Sequence, residues 1–262
     1  MPLKILVPVK RVVDPNVRVR VGSTGSIETT GLKMSINPFD ECALEMALRL
    51  REAGHAAQVS VVTCGLPACQ DVLRTSLAMG ADDAILIDTA DTGTAAASLD
   101  SLGVARLLHA YIATSPYDLV LCGKQAIDDD TGGVAPMLAG LLGWPQGLDA
   151  TALAPEGDGW RVTCGDDSGT ATWRLAGRAV VSADLRLAEP RRVTLPSIVK
   201  AKQKPLAVVS AGQFAVDLAP SSRAVQLDEP TVQRAGQRVA DIDALIAALA
   251  AHNVFAHSGA SA

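Results

Sequence analysis

Short apolar runs alternate with amphipathic segments along the first 145 residues of the chain. Residues 4–9 are almost continuously apolar after Lys4, which is typical of a strand buried on both faces of a parallel sheet. Three further apolar runs of strand length follow, at residues 58–63, 84–87 and 119–122. A shorter alternation of Val and Arg at 17–21 predicts a hairpin strand with one face in water.

Helical patterns separate the apolar runs. Asn37 and Pro38 provide an N-cap residue and a proline at the first helical position, and apolar residues then recur on one face as far as Gly54. Further helices are predicted at residues 67–79, 104–112 and 134–142. Strand–helix alternation at this spacing predicts an α/β fold of the doubly wound type, in which helices cover both faces of a parallel twisted sheet.

The pattern changes after residue 147. Residues 160–164 and 171–182 read as antiparallel strands joined by a polar turn, a small β extension of the α/β domain. Residues 184–205 are charged and interrupted by prolines, and from residue 206 weak periodicity indicates an extended arm. A last amphipathic helix uses Ile242, Leu245, Ile246 and Leu249. We therefore expect an α/β domain at 1–205, which includes the 184–205 loop, and a C-terminal arm with a helix at 206–262.

Composition narrows the function classes. Hydrophobic residues make up 48% and charged residues 19%, a globular balance, and the net charge of −5 argues against a nucleic-acid binder. No apolar run approaches the roughly 18 residues of a membrane helix, and the first residues lack the pattern of a secretory signal. Five cysteines without a CxxC pair indicate a reducing compartment and no zinc site. These features predict a soluble intracellular protein without a metal site.

Three predicted strands end in small or conformationally special residues, namely Pro8, Cys64 with Gly65, and Gly123. Ligands of open α/β sheets bind outside the carboxyl ends of the strands. The loop 123–133 contains glycines and leads into a helix at Val134, an arrangement that presents backbone N–H groups to a phosphate. The alternative is a solvated loop whose aspartates favour the helix start. The three aspartates argue against a polyphosphate without a metal, and the loop matches neither the Rossmann fingerprint nor the P-loop.

Residues 184–205 carry six basic side chains and two acidic ones in a chain that is acidic overall. Within this segment Leu195 is an isolated apolar residue that precedes Pro196. An apolar side chain inside a charged rim suits a transient protein interface, because the side chain fills a pocket while the rim guides encounter. The alternative is a loop whose leucine packs on its own domain.

Several stretches together carry a resemblance to a known family. They are KRVVDP at 10–15, MSINPF at 34–39, LRTSLAMGAD at 73–82, GKQAIDDD at 123–130, WPQG at 144–147, ADLRLAEPR at 183–191, LP at 195–196 and KAK at 200–202. In these motifs, almost colinearly from residue 4 to about 218, the chain resembles the β subunit of electron-transfer flavoproteins. The resemblance implies the α/β fold of an adenine-nucleotide-binding domain and a heterodimer with a larger α subunit, around which the C-terminal arm wraps.

In that family FAD is bound mainly by the α subunit near the interface, and the β subunit holds a structural AMP. The resemblance places the AMP contacts at Pro8, Asn37, Pro38, Phe39, Asp40, Cys64, Gly123, Lys124, Gln125, Ala126, Ile127, Asp128, Asp129, Asp130, Thr131, Gly132, Gly133 and Val134. It identifies residues 184–205 as the recognition loop for partner dehydrogenases, with Leu195 as anchor and Arg191, Pro196 and Lys200 beside it.

The resemblance implies an electron carrier without catalytic residues of its own. Electrons pass from flavin dehydrogenases, such as the acyl-CoA dehydrogenases of fatty acid oxidation, to a membrane quinone oxidoreductase. The compartment is the bacterial cytoplasm or, in a eukaryote, the mitochondrial matrix. One alternative is a bifurcating relative with FAD in place of AMP, which the unbroken run Asp128-Asp129-Asp130 disfavours. Another is an enzyme of related fold that hydrolyses adenine nucleotides.

Overall fold

The computed structural model describes residues 3–22, 25–92, 99–222, 224–229 and 236–254. The chain divides into two compact units, Met1–Leu227 and Asp228–Ala262. In chain order the first unit contains β1 (Leu3–Pro8), β2 (Arg11–Val13), β3 (Met34–Ile36), α1 (Pro38–Glu52), β4 (Ala56–Gly65), α2 (Gln70–Met79), β5 (Asp83–Asp88), α3 (Ser101–Thr114), β6 (Leu119–Gly123), α4 (Val134–Leu142), β7 (Gln146–Glu156), β8 (Gly159–Asp166), β9 (Gly169–Ala176), β10 (Ala179–Ala183), α5 (Leu195–Ala201) and β11 (Leu206–Ser210).

The main sheet has the order β11-β5-β4-β1-β6-β10-β7-β8-β9. Neighbouring strands are parallel from β11 to β7, and β8 and β9 add an antiparallel edge. The predicted fold class, a parallel sheet with a small antiparallel extension, is confirmed. A separate antiparallel pair, β2 and β3, precedes α1.

Both faces of the parallel strands are covered by helices, as the continuous apolar runs predict. On β1, Ile5 and Val7 point into one apolar layer with the buried sides of α1 and α2. Leu6 points into the opposite layer with α3 and α4. All three side chains have no exposed surface. Strand β1 thus lies in the interior of a doubly wound domain.

Some strands differ from the sequence-based expectation. The range 171–182 is two strands rather than one, because the chain turns at Gly177 with φ 66° between β9 and β10. The second of these leaves the hairpin and lies parallel to β6, fully buried. Strands β7 and β11 were not predicted, and the expected strand at 17–21 is reduced to one bridge between Val21 and Ile27. Since a lone hairpin buries little, alternation alone does not maintain it.

The topology brings three strand ends together. The chain proceeds from β1 through α1 to β4 on one side, and it later returns through α3 to β6 on the other side of β1. The direction of winding therefore reverses at β1, and a crevice opens there at the carboxyl ends.

The second unit contains α6 (Ile242–Ala251), whose N-cap Asp241 accepts a hydrogen bond from the amide of Ala244 at 2.8 Å. Its apolar residues Ile242, Leu245 and Ile246 are exposed. Across the described residues, no helix combines the length and apolar character needed to span a bilayer.

Candidate nucleotide site and partner-docking surface

A pocket lies in the crevice at the carboxyl ends of β1, β4 and β6. Of the residues predicted to contact a nucleotide, it is lined by Pro8, Asn37, Asp40, Cys64, Gly123, Lys124, Gln125, Ala126, Asp129, Thr131, Gly132, Gly133 and Val134. The predicted residues Pro38, Phe39, Ile127, Asp128 and Asp130 do not line it. The structure thus gathers most of the predicted site, from four separate stretches of chain, around one cavity.

Residues that the sequence analysis did not select complete the pocket. Val62, Leu99, Val104, Leu108 and Cys122 supply apolar surface suited to a planar base. Polar additions are Lys10, Thr63, Asp100 and Ser101. Lys10 lies two residues beyond the end of β1. Of these four polar residues, it is the one that its position after a strand end could have indicated.

The N-terminus of α1 forms one wall of the pocket. Asn37 lies at the predicted N-cap position, but its side chain makes no capping hydrogen bond. Instead its Nδ2 donates to the carbonyl of Gln125 at 2.8 Å, and its Oδ1 accepts from the amide of Ile127 at 3.2 Å. The side-chain amide of Asn37 therefore binds the loop after β6 to the start of α1.

The side chain of Asp40 binds the backbone just beyond the end of β1 and at the end of β6. Its carboxylate accepts hydrogen bonds from the backbone amide of Lys10, at 2.8 Å, and from that of Gly123. Burial raises the pKa of Asp40 to about 7, against the opposing effect of these donors and of the Asn37 side chain. The site therefore contains a carboxyl group that changes charge near neutral pH.

Gly123 is required by the protein's own packing. A Cβ at this position would lie 2.2 Å from Asp40 Oδ1 and 2.8 Å from the Cβ of Phe39. Gly123 was predicted to lie at a strand end where a ligand binds, and the group that packs against it is the first turn of α1. Phe39 and Pro38 thus shape the site without lining it.

The side chains of the aspartate run have partners within the chain, and Lys10 offsets one of their three negative charges. Lys10 Nζ lies 2.7 Å from Asp128 Oδ1 and 2.9 Å from Asp129 Oδ2. Partial burial disfavours the charged lysine, but the two carboxylates outweigh it and raise the pKa of Lys10. Asp130 adopts a left-handed φ of 55° and accepts a hydrogen bond from the Gln125 side chain. Asp128 and Asp129 therefore tie the loop to Lys10, and Asp130 ties the loop to Gln125 within it.

Two further helices, α3 and α4, begin at the pocket. Gly133 is the N-cap of α4 and has no side chain, so the first-turn amides are left for a ligand or water. At the start of α3, the Oγ of Ser101 lies 3.0 Å from Thr131 Oγ1, which joins the two helix starts. The positive end of each helix dipole faces the same space.

The cations that line the pocket are Lys10 and Lys124, and both have carboxylate partners. Lys124 Nζ lies 3.1 Å from Asp149 Oδ2. An anion in the pocket would therefore be bound chiefly by backbone amides and hydroxyls. No group of three or more His, Cys, Asp or Glu side chains among the described residues is arranged to hold a metal ion.

The second candidate surface is the segment 184–205, which contains α5. Thr194 and Ser197 form a reciprocal capping box: the Ser197 amide donates to Thr194 Oγ1 at 3.4 Å, and the Thr194 amide donates to Ser197 Oγ at 3.0 Å. Leu195 is 79% exposed and Val199 is 61% exposed. Together with Ile198 they form an uncovered apolar face. The alternative of a leucine packed on its own domain is thus not what the structure shows.

These two regions lie within a chain that matches known proteins over most of its length. The family model described as "Electron transfer flavoprotein domain" matches residues 24–213. The "Electron transfer flavoprotein subunit beta" of Bradyrhizobium diazoefficiens is 44% identical over 248 residues, which cover 94% of this chain and 97% of the relative. The protein of the same description from Mus musculus is 45% identical, with 94% and 96% covered. The chain belongs to the electron transfer flavoprotein β-subunit family.

Membership of this family extends across kingdoms. The "Electron transfer flavoprotein subunit beta, mitochondrial" of Oryza sativa subsp. indica is 44% identical over 247 residues, with 93% of this chain and 96% of the relative covered. The family model includes α1, the loop after β6 and α5, so the docking segment and most of the pocket lie within the matched range. The pocket residues Pro8 and Lys10 precede it. The resemblance inferred from the motifs is confirmed.

The structure divides the basic residues of the β-subunit segment 184–205 into two groups. Arg186, Arg191 and Lys204 bind groups of this chain: Asp184, the pair Glu45 and Glu52, and backbone carbonyls near Gly80, respectively. Arg192, Lys200 and Lys202 are exposed, as is the predicted contact Pro196. The charged rim around Leu195 is therefore smaller than the sequence count suggests, and Arg191 points into its own protein.

Proposed function

We propose that this chain is the β subunit of a heterodimeric electron carrier that accepts electrons from flavin dehydrogenases, such as acyl-CoA dehydrogenases, and delivers them to a membrane quinone oxidoreductase. AMP binds in the pocket at the carboxyl ends of β1, β4 and β6. FAD binds mainly to the α subunit and, when bound, supplies the redox chemistry. The carrier works in the bacterial cytoplasm or in the mitochondrial matrix, and this chain contributes binding and docking rather than catalysis.

The observation that supports AMP most directly is the donor set of the pocket. Apolar side chains such as Leu108 form one part of the wall, and the uncapped start of α4 forms another. An adenine base and a phosphate fit these two parts in turn. Because Lys10 and Lys124 are already paired with carboxylates, the pocket suits a monophosphate better than a polyphosphate.

The residues of this chain act on the nucleotide by position. Asn37 and Asp40 hold the loop after β6 against α1, which fixes the backbone amides that face the phosphate. Thr131 and Ser101 present hydroxyl groups between the two helix starts. The bound nucleotide in turn would tie the loop, α3 and α4 together, which is a structural role.

Docking is assigned to the exposed face of α5. Leu195 enters an apolar pocket of the dehydrogenase, Val199 and Ile198 extend the contact, and the exposed Lys200 and Arg192 form its rim. The recognition sequence thus becomes a short helix with three apolar side chains on one side. The C-terminal arm with α6 is proposed to wrap the α subunit.

The test is to co-purify the chain with its α partner, denature the complex and quantify the released nucleotides by chromatography. One FAD and one AMP per heterodimer are expected. Two FAD and no AMP would contradict the AMP assignment and indicate a bifurcating relative. Turnover of ATP by the isolated chain would instead support a nucleotide-hydrolysing enzyme and overturn the carrier role.

A further inference from the structure

The segment that leads to α5 lies along helix α1. Cys42 Sγ, on α1, lies 3.7 Å from the carbonyl oxygen of Leu185. About two turns further along α1, Arg49 donates from its guanidinium to the carbonyl of Glu189 at 2.9 Å. The main chain from 185 to 189 is thereby carried along the helix toward its C-terminal half.

Arg191 then fastens the segment with both ends of its guanidinium. Its Nε lies 2.7 Å and its Nη2 3.1 Å from the carboxylate oxygens of Glu45, and its Nη1 and Nη2 lie 2.6 Å and 3.1 Å from those of Glu52. The backbone amide of Arg191 adds a further bond to Glu45 at 3.2 Å. The side chain of Glu45 is only 5% exposed, whereas that of Arg191 is 32% and that of Glu52 51% exposed, so the ion pair is partly buried.

The other end of α5 is fastened to helix α2. Arg74 donates to the carbonyl oxygens of Ala201 and Lys204, at 3.0 Å and 3.1 Å. Lys204 Nζ donates to carbonyls at the C-terminal end of α2, including that of Ala81 at 2.6 Å. Polar contacts therefore hold the chain on both sides of α5, and Ala201 at its end is buried in the core. Leu195, Ile198 and Val199 are exposed.

We infer that Arg191 is a positioning residue of the docking surface: with Glu45 and Glu52 it moors the N-terminal side of α5 on α1 and so holds Leu195 in the geometry that a partner binds. The inference rests on the proposed docking role of α5. It assigns Arg191 to an internal contact, whereas the resemblance placed it among the partner contacts.

The two roles for Arg191 make opposite predictions for Glu45. If Arg191 acted through its charge on a partner, removal of the neighbouring negative charge in Glu45→Gln would leave docking unchanged or improve it. If Arg191 is a mooring, Glu45→Gln loosens α5 as Arg191→Gln does. Neither expectation applies to Arg20, an exposed arginine outside the segment 184–205, which serves as the control.

The experiment uses the heterodimer with its bound nucleotides and an acyl-CoA dehydrogenase, with its acyl-CoA substrate, as electron donor. We expect Arg191→Gln and Glu45→Gln each to lower kcat/KM for the heterodimer about tenfold, because each removes the bidentate contact between Arg191 and Glu45. Glu45 then keeps Arg49 alone, or Arg191 keeps Glu52 alone. Arg191→Lys, which keeps the charge but not the fork, is expected to lose about threefold. The control Arg20→Gln, at an exposed arginine outside the segment 184–205, is expected to stay within about twofold.

A second measurement follows the mooring directly. Hydrogen–deuterium exchange of the backbone amides at 195–203 is expected to accelerate in Arg191→Gln and Glu45→Gln, with unchanged nucleotide content, and to stay as in the parent in Arg20→Gln. The double variant Arg191→Gln/Glu45→Gln removes both charges together. It is expected to fold well, because no buried charge is left unpaired, and to exchange as fast as the single variants.

The outcomes separate the inference from the function on which it rests. If Leu195→Ala slows transfer while Arg191→Gln and Glu45→Gln behave as the parent, the mooring is wrong and docking stands. If Glu45→Gln docks as well as the parent and only the arginine variants fail, Arg191 acts on the partner and the inference is overturned. If Leu195→Ala has no effect, the docking role fails, and unaltered exchange in Arg191→Gln overturns the mooring independently.

Discussion

The nucleotide pocket and the docking helix use charged groups in opposite ways. In the pocket, carboxylates bind the protein's own backbone and lysines: Asp40 accepts from amides, and Asp128 and Asp129 share Lys10. What remains for a ligand is backbone, hydroxyl groups and apolar surface. At α5, ion pairs lie beneath the surface and apolar side chains face solvent, with Leu195 79% exposed. A pocket that encloses a ligand needs a fixed backbone, whereas a surface that meets a partner needs presented side chains.

The largest expected effect tests whether the pocket depends on the buried carboxyl of Asp40. Its pKa of about 7 in the folded protein exceeds that of an unfolded aspartate, so the folded state retains a proton that the unfolded state releases. Stability is therefore fully present at low pH and falls as pH rises from about 4 to about 7. Asp40→Asn removes this pH dependence. The part of the free energy of unfolding that Asp40 contributes should therefore change by at most about 4 kcal/mol between pH 4 and pH 7.

Chemical denaturation at a series of pH values measures the effect. The comparison is the parent's free energy of unfolding minus that of Asp40→Asn. A difference that stays constant between pH 4 and pH 7 would show that Asp40 is already ionised at low pH. The pocket would then rest on a buried charge rather than on a neutral group.

The next effect tests the packing of α1 against the end of β6. In Gly123→Ala the added Cβ would lie 2.2 Å from Asp40 Oδ1, a contact that backbone or side chain must relieve by moving. We expect a loss of about 3 kcal/mol in unfolding free energy, together with loss of AMP. Thermal unfolding and nucleotide content measure both.

Gly140→Ala is the matched control for the glycine. This residue lies within α4, and a Cβ there meets no atom within 4 Å. The same substitution should therefore stabilise the protein by about 0.5–1 kcal/mol, since alanine is the better helix former. Equal losses at the two positions would contradict the steric account of Gly123.

A smaller effect tests the outward-facing surface. Leu195→Ala is expected to lower kcat/KM with an acyl-CoA dehydrogenase about thirtyfold, because an anchor in a desolvated pocket contributes about 2 kcal/mol. Nucleotide content and thermal stability should not change, since Leu195 is uncovered. Leu141→Ala serves as the control, because Leu141 is also an exposed apolar residue but lies on α4 rather than α5. Equal slowing by both variants would argue against a specific docking role.

The smallest effect concerns the phosphate end of the pocket. Ser101→Asp places a carboxylate in the first turn of α3, where it suits the helix but repels an anion. We expect AMP to bind about tenfold more weakly, with thermal stability of the nucleotide-free protein retained. Ser101→Asn, similar in size and uncharged, is the control. Isothermal titration with AMP that detects no difference between the two variants would place the phosphate elsewhere.

The sequence by itself determined the architecture. Alternating apolar runs and amphipathic segments were enough to predict the parallel sheet, because strands buried on both faces need continuous apolar sequence and their crossovers need helices. The strand ends at Pro8, Cys64 and Gly123 were also predictable, since parallel strands end at one edge of the sheet. Leu195 was a candidate because of its place in a charged segment, and the family resemblance favoured it over a leucine packed on its own domain.

Only the tertiary structure decided what the polar residues do. Lys10 meets Asp128, and Arg191 meets Glu45, across 118 and 146 positions of sequence. No local spacing indicates such pairs, because they depend on which elements the sheet places side by side. For the same reason Asn37, a helix cap by its sequence, became a clamp on the loop after β6. Hydrophobic periodicity involves residues that are close in sequence, so it can be read from the sequence alone. The partners of buried polar groups are set by which elements the tertiary structure brings together.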